Sequence, residues 1–356
     1  MKKTLLLITF FAINNFAYSQ KDKVDFAIKN LMEKNKIVGL QLSVIKNNQI
    51  VKTSSYGFSN IQDNIKVDNQ TLFPINSITK VFTGVAIMQL VESGKLNLEE
   101  PISKYLDSLP KTWQNITIKQ IATHISGIPD VLDNDGNLIT ENDEISLKKI
   151  KELPVDFNAG EEFRYNQTNY LLLGKVIEKI SGKSFEKFIS ENQFERAEMK
   201  NSAKTGLVDF FDIVKHSVRG YSYFRNGKLT NVYEPIPISL RPAGGISSTA
   251  TEIAKWIIAL QNHKLINEQN LKALWTPTTL NNGKTIGMNN FLNGYSIGFN
   301  MVLRDEKPIV GSMGGVRSAF FIYPKNNISI VILTNLQGSH PENFIEEIAN
   351  LYINDK

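Results

Sequence analysis

The sequence predicts an α+β fold: one antiparallel sheet built from both chain ends, flanked by helices, around an inserted, mostly helical region. Two observations carry that expectation. Strand-pair patterns stand near each end, over 38–55 and 318–334, and helical patterns cluster between them. No low-complexity stretch, internal repeat or Pro/Ser linker divides the 356 residues. The sheet part is therefore expected over about 20–75 and 240–356, and the helical part over about 76–239. Hydrophobic residues are 42% and charged residues 21%, ordinary values for a soluble globular chain.

Taken in order, residues 1–19 read as a signal peptide. Lys2 and Lys3 are basic, Leu5 to Ile13 is apolar, and Ala17-Tyr18-Ser19 places small residues for cleavage before Gln20. An apolar run of about nine residues is too short for a hydrocarbon core of ~30 Å. A periplasmic or secreted protein is expected, with no stable membrane insertion after cleavage. Without a cysteine, no lipid-modified N-terminus can follow. Loss of Lys2 and Lys3 reduces the formal charge of +5 to +3, and no Lys/Arg stripe with interleaved aromatics exists. Nucleic acid is not an expected partner.

Val24, Ala27, Ile28 and Leu31 have helical spacing. Leu40, Leu42 and Val44 alternate, Asn47-Asn48 can turn, and Ile50-Val51 resume, which makes a hairpin over Val38 to Ser55. Helices are expected over Ser77 to Glu92, Ile116 to Ala122, Thr168 to Ile180 and Thr251 to Leu260. Strands follow over Ser318 to Tyr323 and Ile328 to Thr334, with a turn at Pro324 to Asn327, and a last helix over about Glu342 to Ile353. The cleft should lie between sheet and helical region.

The chain has no cysteine and only His124, His216, His263 and His340. That excludes thiol nucleophiles and thiolate metal sites, and there is no His-Glu-x-x-His. No metal or cofactor is implied. Covalent chemistry would fall to Ser, Thr, Lys or a carboxylate. A serine followed three residues later by lysine can be activated if both share a helix face. Five copies begin at Ser43, Ser77, Ser108, Ser146 and Ser184. Ser43 lies in a strand, where i and i+3 oppose each other. Ser108 has Pro110 inside its pattern, and Ser146 and Ser184 stand among charges typical of an exposed face.

Ser77 is different. From Asn76 to Val91 the only charge is Lys80, on a helix apolar nearly all round. Such a helix is buried, and desolvation should lower the lysine toward the range of a base. Free N–H groups at the helix start would suit an oxyanion.

The stretch TLFPINSITKVFTGVAIMQLVESGKLNLEEPISKYL (Thr71 to Leu106) resembles the serine β-lactamase-related family. That family includes class C β-lactamases, D-alanyl-D-alanine carboxypeptidases and esterases of the same fold. ITIKQIATHISGIPD (Ile116 to Asp130), GGISSTATEIAKWIIAL (Gly244 to Leu260) and ISIVILTN (Ile328 to Asn335) match further stretches in order. The resemblance implies a β-lactamase/transpeptidase-like fold over 20–356, with Ser77 as nucleophile and Lys80 as its base. It also implies a Tyr-x-Asn element, here Tyr165-Asn166-Gln167, ahead of a helix. Tyr165 would share the Ser77 proton with Lys80, its phenolate favoured by the nearby ammonium. Gln167 replaces the usual Asn, so its contact with a substrate amide is expected to be shifted or lost.

The family's third motif, Lys-Thr-Gly or His-x-Gly, falls on Ser312-Met313-Gly314. Gly315 would donate the second oxyanion N–H beside that of Ser77. Ser312 lacks the family's cation, Met313 replaces a frequent threonine, and Ser318 stands where glycine is common. A carboxylate-bearing substrate would need another cation, with Arg317 and Arg241 as candidates. The literal Lys204-Thr205-Gly206 precedes Gly244-Gly245 and lacks a following strand, so it is a decoy.

Gly294-Tyr295-Ser296-Ile297-Gly298, followed by Asp305 and His340, follows the order of an α/β-hydrolase. A nucleophile elbow needs a helix after it, and here the strand-like Phe299 to Leu303 follows. His124 reads as a residue that fixes a loop. The expectation is an exported serine hydrolase with a Ser77 acyl-enzyme, acting on an ester, amide or D-amino-acid peptide bond. Its substrate would be a small molecule or a peptide, peptidoglycan-derived ones included. The competing reading is a peptidoglycan- or peptide-binding protein that acylates slowly or not at all.

Overall fold

The computed structural model describes residues 23–133, 137–140, 142–207, 213–233 and 236–354. The expected signal peptide, residues 1–19, lies outside the described residues. Helix α1 (23–34) leads into β1 (Gly39–Lys46) and β2 (Gln49–Asn60). Asn47 and Asn48 both have positive φ, 52° and 59°. That is the backbone of a two-residue hairpin turn whose twist matches its strands. A short β3 (Ile65–Lys66) pairs with β2. At the other end come β4 (Gly294–Tyr295), β5 (Asn300–Val302), β6 (Ile309–Gly314), β7 (Ser318–Tyr323) and β8 (Ile328–Thr334). Helix α5 (Ile345–Ile353) follows them, and the three helices that matter for the site are α2 (Thr79–Glu92), α3 (Thr168–Ser181) and α4 (Ala250–Gln261).

One antiparallel eight-stranded sheet runs β3-β2-β1-β8-β7-β6-β5-β4. The chain ends meet at its centre, where β1 and β8 pair from Leu40↔Thr334 to Lys46↔Ile328. Strands come from 39–66 and 294–334. The stretch from 240 to 293 contributes chiefly helix and loop to the layer above the sheet.

Each face of the sheet has its own apolar layer, which is why β1 and β8 are buried almost throughout. On the outer face, Val24, Ile28 and Leu31 of α1 join Ile345, Ile348 and Tyr352 of α5 over Leu40, Leu42, Ile330 and Ile332. On the inner face, Phe320, Ile322, Val331 and Leu333 pack against Ile253, Trp256 and Ile257 of α4 and against α2. Gln41 faces inward from β1 and is fully partnered. Its Nε2 donates to the Asp68 carbonyl at 2.5 Å and the Thr71 carbonyl at 3.1 Å, and its Oε1 accepts from the Ala250 N–H at 2.8 Å.

Helix α2 is buried from Thr79 to Met88 and again at Leu90, as its all-round apolar surface requires. Its predicted start at Ser77 is a 3₁₀ turn over Asn76–Ile78, and the α-helix begins at Thr79.

Candidate active site

The segment leading to Ser77 is held by neighbouring backbone. Phe73 and Pro74 pair with Ser248 and Ser247, and the Ile75 N–H donates to the Ile246 carbonyl at 2.9 Å. The chain then reverses at Asn76, whose φ is 47°. Ser77 follows on the 3₁₀ turn, half-buried. Lys80 stands three residues on, in the first turn of α2, so its side chain shares a face with Ser77 and its amine reaches the hydroxyl. Lys80 Nζ lies 3.4 Å from Ser77 Oγ, 2.7 Å from Gln167 Oε1 and 2.8 Å from the Ala243 carbonyl.

Lys80 is 1% exposed, and desolvation pulls it down to about 7, against a smaller upward pull from the Asp130 charge. A neutral amine has two N–H donors and one lone pair. The Gln167 and Ala243 oxygens can take both donors, leaving the lone pair for the Ser77 proton. That is the state a general base needs near neutrality.

Tyr165 borders the same amine, with Lys80 Nζ 4.8 Å from the ring centroid. Its hydroxyl hydrogen-bonds Ser77, which favours ionisation, but burial dominates and pushes the phenol well above its ordinary value. The Asp130 charge pushes the same way. The expected phenolate is therefore corrected: Tyr165 is a neutral phenol beside the serine, suited to donating a proton.

His124 holds the segment that carries Tyr165, as the sequence suggested. Its carbonyl accepts from the Arg164 N–H at 2.9 Å, and its Nδ1 accepts from the Asn166 N–H at 3.3 Å. Its ring lies 4.4 Å from that of Tyr165. An Nδ1 that accepts leaves the ring proton on Nε2, which is buried without a partner. Burial, aided by the Lys80 charge, pushes His124 well below the usual imidazole value, so it stays neutral.

Gln167 turns toward the lysine. Its amide oxygen is committed to Lys80 at 2.7 Å rather than to a substrate amide. The extra methylene relative to Asn is taken up inside the protein.

Strand β6 forms the opposite wall. Even-numbered positions face inward, since Val310 joins the inner layer and Met313 packs with the outer one. Ser312 shares the inner face and is 2% exposed, while Met313 faces away from the site. Gly314 is where strand and nucleophile touch: an added Cβ would stand 2.0 Å from the Ile75 carbonyl oxygen and 2.8 Å from the Ser77 nitrogen. Gly315 has φ 55°, and a Cβ there would stand 2.6 Å from Asn76 Oδ1. Gly314→Ala must displace backbone. It is expected to slow acylation at Ser77 at least tenfold and to cost about 1–3 kcal/mol of stability. Probe-labelling rate and thermal unfolding measure both.

Neither arginine is placed as a free carboxylate receptor. Arg241 pairs with Glu186 at 2.8 Å. Arg317 is 3% exposed and donates through Nε and Nη2 to Asn76 Oδ1 at 3.1 and 2.9 Å. It thereby fastens the turn before Ser77. A cavity of 490 Å³ opens beside that turn, with Pro74, Asn76, Gly244, Gly245 and Ser247 in its wall.

The competing motifs separate cleanly. Ser43 faces the inner layer while Lys46 bonds the Tyr352 carbonyl of α5 on the outer side. Ser146, expected on an exposed face, is instead buried and bonded to Thr140 at 2.7 Å. Ser184 caps a short helix by accepting from the Lys187 N–H. Lys204 and Thr205 end the helix Lys200–Thr205. Ser296 is 1% exposed in the β4–β5 turn, its N–H bonded to the Phe299 carbonyl. Gly298, at φ 81°, is needed because a Cβ would meet the Lys80 carbonyl at 2.4 Å. His340 pairs with Glu342.

Sequence reasoning missed three contributors. The Ala243 carbonyl carries no side-chain signal, and Asn76 shows its role only through its contact with Arg317, far away in sequence. Asp130, the last residue of a matching stretch, accepts from the Gln167 N–H through both carboxylate oxygens, at 3.0 and 3.1 Å.

This sheet-and-helix arrangement, with a lysine amine over a serine at the β6 edge, defines a β-lactamase/penicillin-binding-protein-like protein. The Beta-lactamase family model matches residues 24–354, and the chain belongs to that family. It is 25% identical over 346 residues to Protein flp of Staphylococcus aureus, covering 94% of this chain and 67% of that one. It is 26% identical over 326 residues to the teichoic acid D-alanine hydrolase of Staphylococcus aureus, covering 91% of this chain and 76% of that one. The octameric penicillin-binding protein homologue from Pyrococcus abyssi superposes with a TM-score of 0.77 at 25% identity, covering 94% of this chain and 77% of that one.

Proposed function

We propose that the chain is an exported serine hydrolase that forms an acyl ester on Ser77 and releases it to water. The observation that carries this is the Lys80 amine, 3.4 Å from Ser77 Oγ with its other donors bound to Gln167 and Ala243. Ser77 Oγ attacks the substrate carbonyl carbon while its proton passes to neutral Lys80. Backbone N–H groups of Ser77 and Gly315 would stabilise the oxyanion. Collapse breaks the bond to the leaving group, which takes the Tyr165 proton, and Lys80 returns a proton to Tyr165. Water then attacks the ester by the reverse relay.

Ser312 supplies no charge for a substrate carboxylate, and Arg241 and Arg317 are engaged elsewhere. Acyl esters, D-alanyl esters included, thus fit the site better than β-lactams. The relative named for teichoic acid D-alanine hydrolysis supports the same class. The N-terminal segment 1–19 supports export.

The test follows the Ser77 adduct over time by intact mass, with a D-alanyl ester, a simple activated ester and a penicillin. Turnover of the esters with a lingering penicillin adduct is expected. Stoichiometric labelling without turnover on any substrate would favour a binding protein. Ser312→His is expected to raise rates on carboxylate-bearing substrates about tenfold, the scale of one charge-assisted contact. No gain would mean that the pocket lacks more than a charge.

A further inference from the structure

We propose that Asp130 is a positioning residue of this site: its carboxylate pins the Gln167 backbone so that the Gln167 amide holds the Lys80 amine, and through that one shared residue it keeps a negative charge near the amine. The inference rests on the serine hydrolase reading above.

Helix α3 begins at Thr168 with no side-chain cap from its own N-cap residue, Gln167. Uncapped N–H groups at a helix start need acceptors. Asp130 provides them from a separate loop. Its Oδ1 and Oδ2 accept from the Gln167 N–H at 3.0 and 3.1 Å, and it also accepts from the Thr168 N–H. The same carboxylate closes its own loop by accepting from the Leu132 N–H at 3.3 Å. Gln167 is then fixed at its backbone by Asp130 and at its side chain by Lys80, at 2.7 Å.

The Asp130 charge acts separately from the cap. The ionisable groups around Lys80 are His124, Asp130, Tyr165 and Tyr170, with Tyr295 behind the two tyrosines. Burial holds the three tyrosines above their ordinary values and His124 below its own, so all four are neutral near pH 7. Asp130 is the carboxylate whose charge reaches Lys80 and favours its ammonium form. Burial raises Asp130 itself, while the N–H groups of Gln167, Leu132 and Thr168 and the Lys80 charge hold it down.

Asp130→Asn keeps an acceptor for the cap and removes the charge, so it separates the two roles. The measurement is the rate of Ser77 labelling by a fluorescent fluorophosphonate from pH 5 to 9, on the full chain. In Asp130→Asn the acid limb is expected to move down by roughly half to one pH unit. The ratio of the rate at pH 6 to that at pH 8.5 then rises about 2.5- to 5-fold. Asp130→Glu, which keeps the charge, should leave the limb near its wild-type position. An unmoved limb in Asp130→Asn, with the rate lowered equally at every pH, would reduce Asp130 to a helix cap and overturn the proposal.

Urea unfolding midpoints from pH 6 to 10 read the same Lys80 proton without any chemistry. A wild type that never labels on Ser77, with its stability profile still shifted in Asp130→Asn, sinks the hydrolase reading and keeps the charge pairing. Labelling on Ser77 with both profiles unmoved sinks the Asp130 proposal alone. If Asp130→Asn does not fold, Asp130→Glu decides: a limb displaced by a variant that keeps the charge contradicts the proposal.

Discussion

Ser77→Ala is expected to abolish fluorophosphonate labelling and to lower ester hydrolysis by about 10⁴- to 10⁶-fold, the scale seen when a hydrolase loses its nucleophile. The reason is geometric. Among the described residues, Ser77 is where a hydroxyl lies against a desolvated amine, at 3.4 Å, on a turn that leaves the residue half-buried. The substitution removes one oxygen from a 3₁₀ turn held by backbone bonds at Ile75 and Ile78. Stability should change by less than about 1 kcal/mol, so lost labelling reports chemistry rather than unfolding. Ser296→Ala is the control, because Ser296 is enclosed in the β4–β5 turn. Label that survives Ser77→Ala and disappears in Ser296→Ala would move the nucleophile and refute the assignment.

Lys80→Met is the second large effect. Loss of a general base costs about 10²- to 10⁴-fold, and the pH profile identifies the group. Wild-type acylation should be half-maximal near pH 7 and fall as pH drops, because Lys80 at about 7 is then protonated. That acid limb should be missing from the residual rate of Lys80→Met. Stability gives an independent sign. The folded-state value lies below the unfolded one, so between them the unfolded chain binds a proton that the folded chain does not. Wild-type stability therefore rises with pH from about 7 toward 10.5, whereas Lys80→Met lacks that rise. Below pH 7 the wild type bears the full cost of burying the ammonium, on the order of 5 kcal/mol. Urea titrations of both proteins at pH 6 and pH 10 test this; parallel pH dependence would show that Lys80 keeps its ordinary proton affinity when folded.

Much of this protein was legible because its signals are local. The alternation of Leu40, Leu42 and Val44 and the Asn47-Asn48 pair specify a hairpin, since pleat and turn geometry depend on neighbouring residues alone. Strands at Ser318–Tyr323 and Ile328–Thr334 match their predicted bounds for the same reason. Lys80 stood out as the single charge on an apolar helix. The errors were equally physical. Charges surround Ser146 in sequence and predict exposure, yet one face of its short helix packs inward. A nearby ammonium predicts a Tyr165 phenolate, but desolvation dominates and Lys80 itself carries only about half a charge near neutrality. Gln167 was assigned to the substrate, and the fold gives its oxygen to the lysine.

By itself, the sequence determined the hairpin near residue 47, the two strands over 318–334 and the serine–lysine pair, because each is written in residues within a few positions of one another. Only the tertiary structure decided what the lysine can do. Its acceptors on Gln167 and Ala243 lie 87 and 163 residues away, and its counter-charge on Asp130 acts across loops. Proton affinity depends on the dielectric and the charges in three dimensions, and no local pattern encodes those.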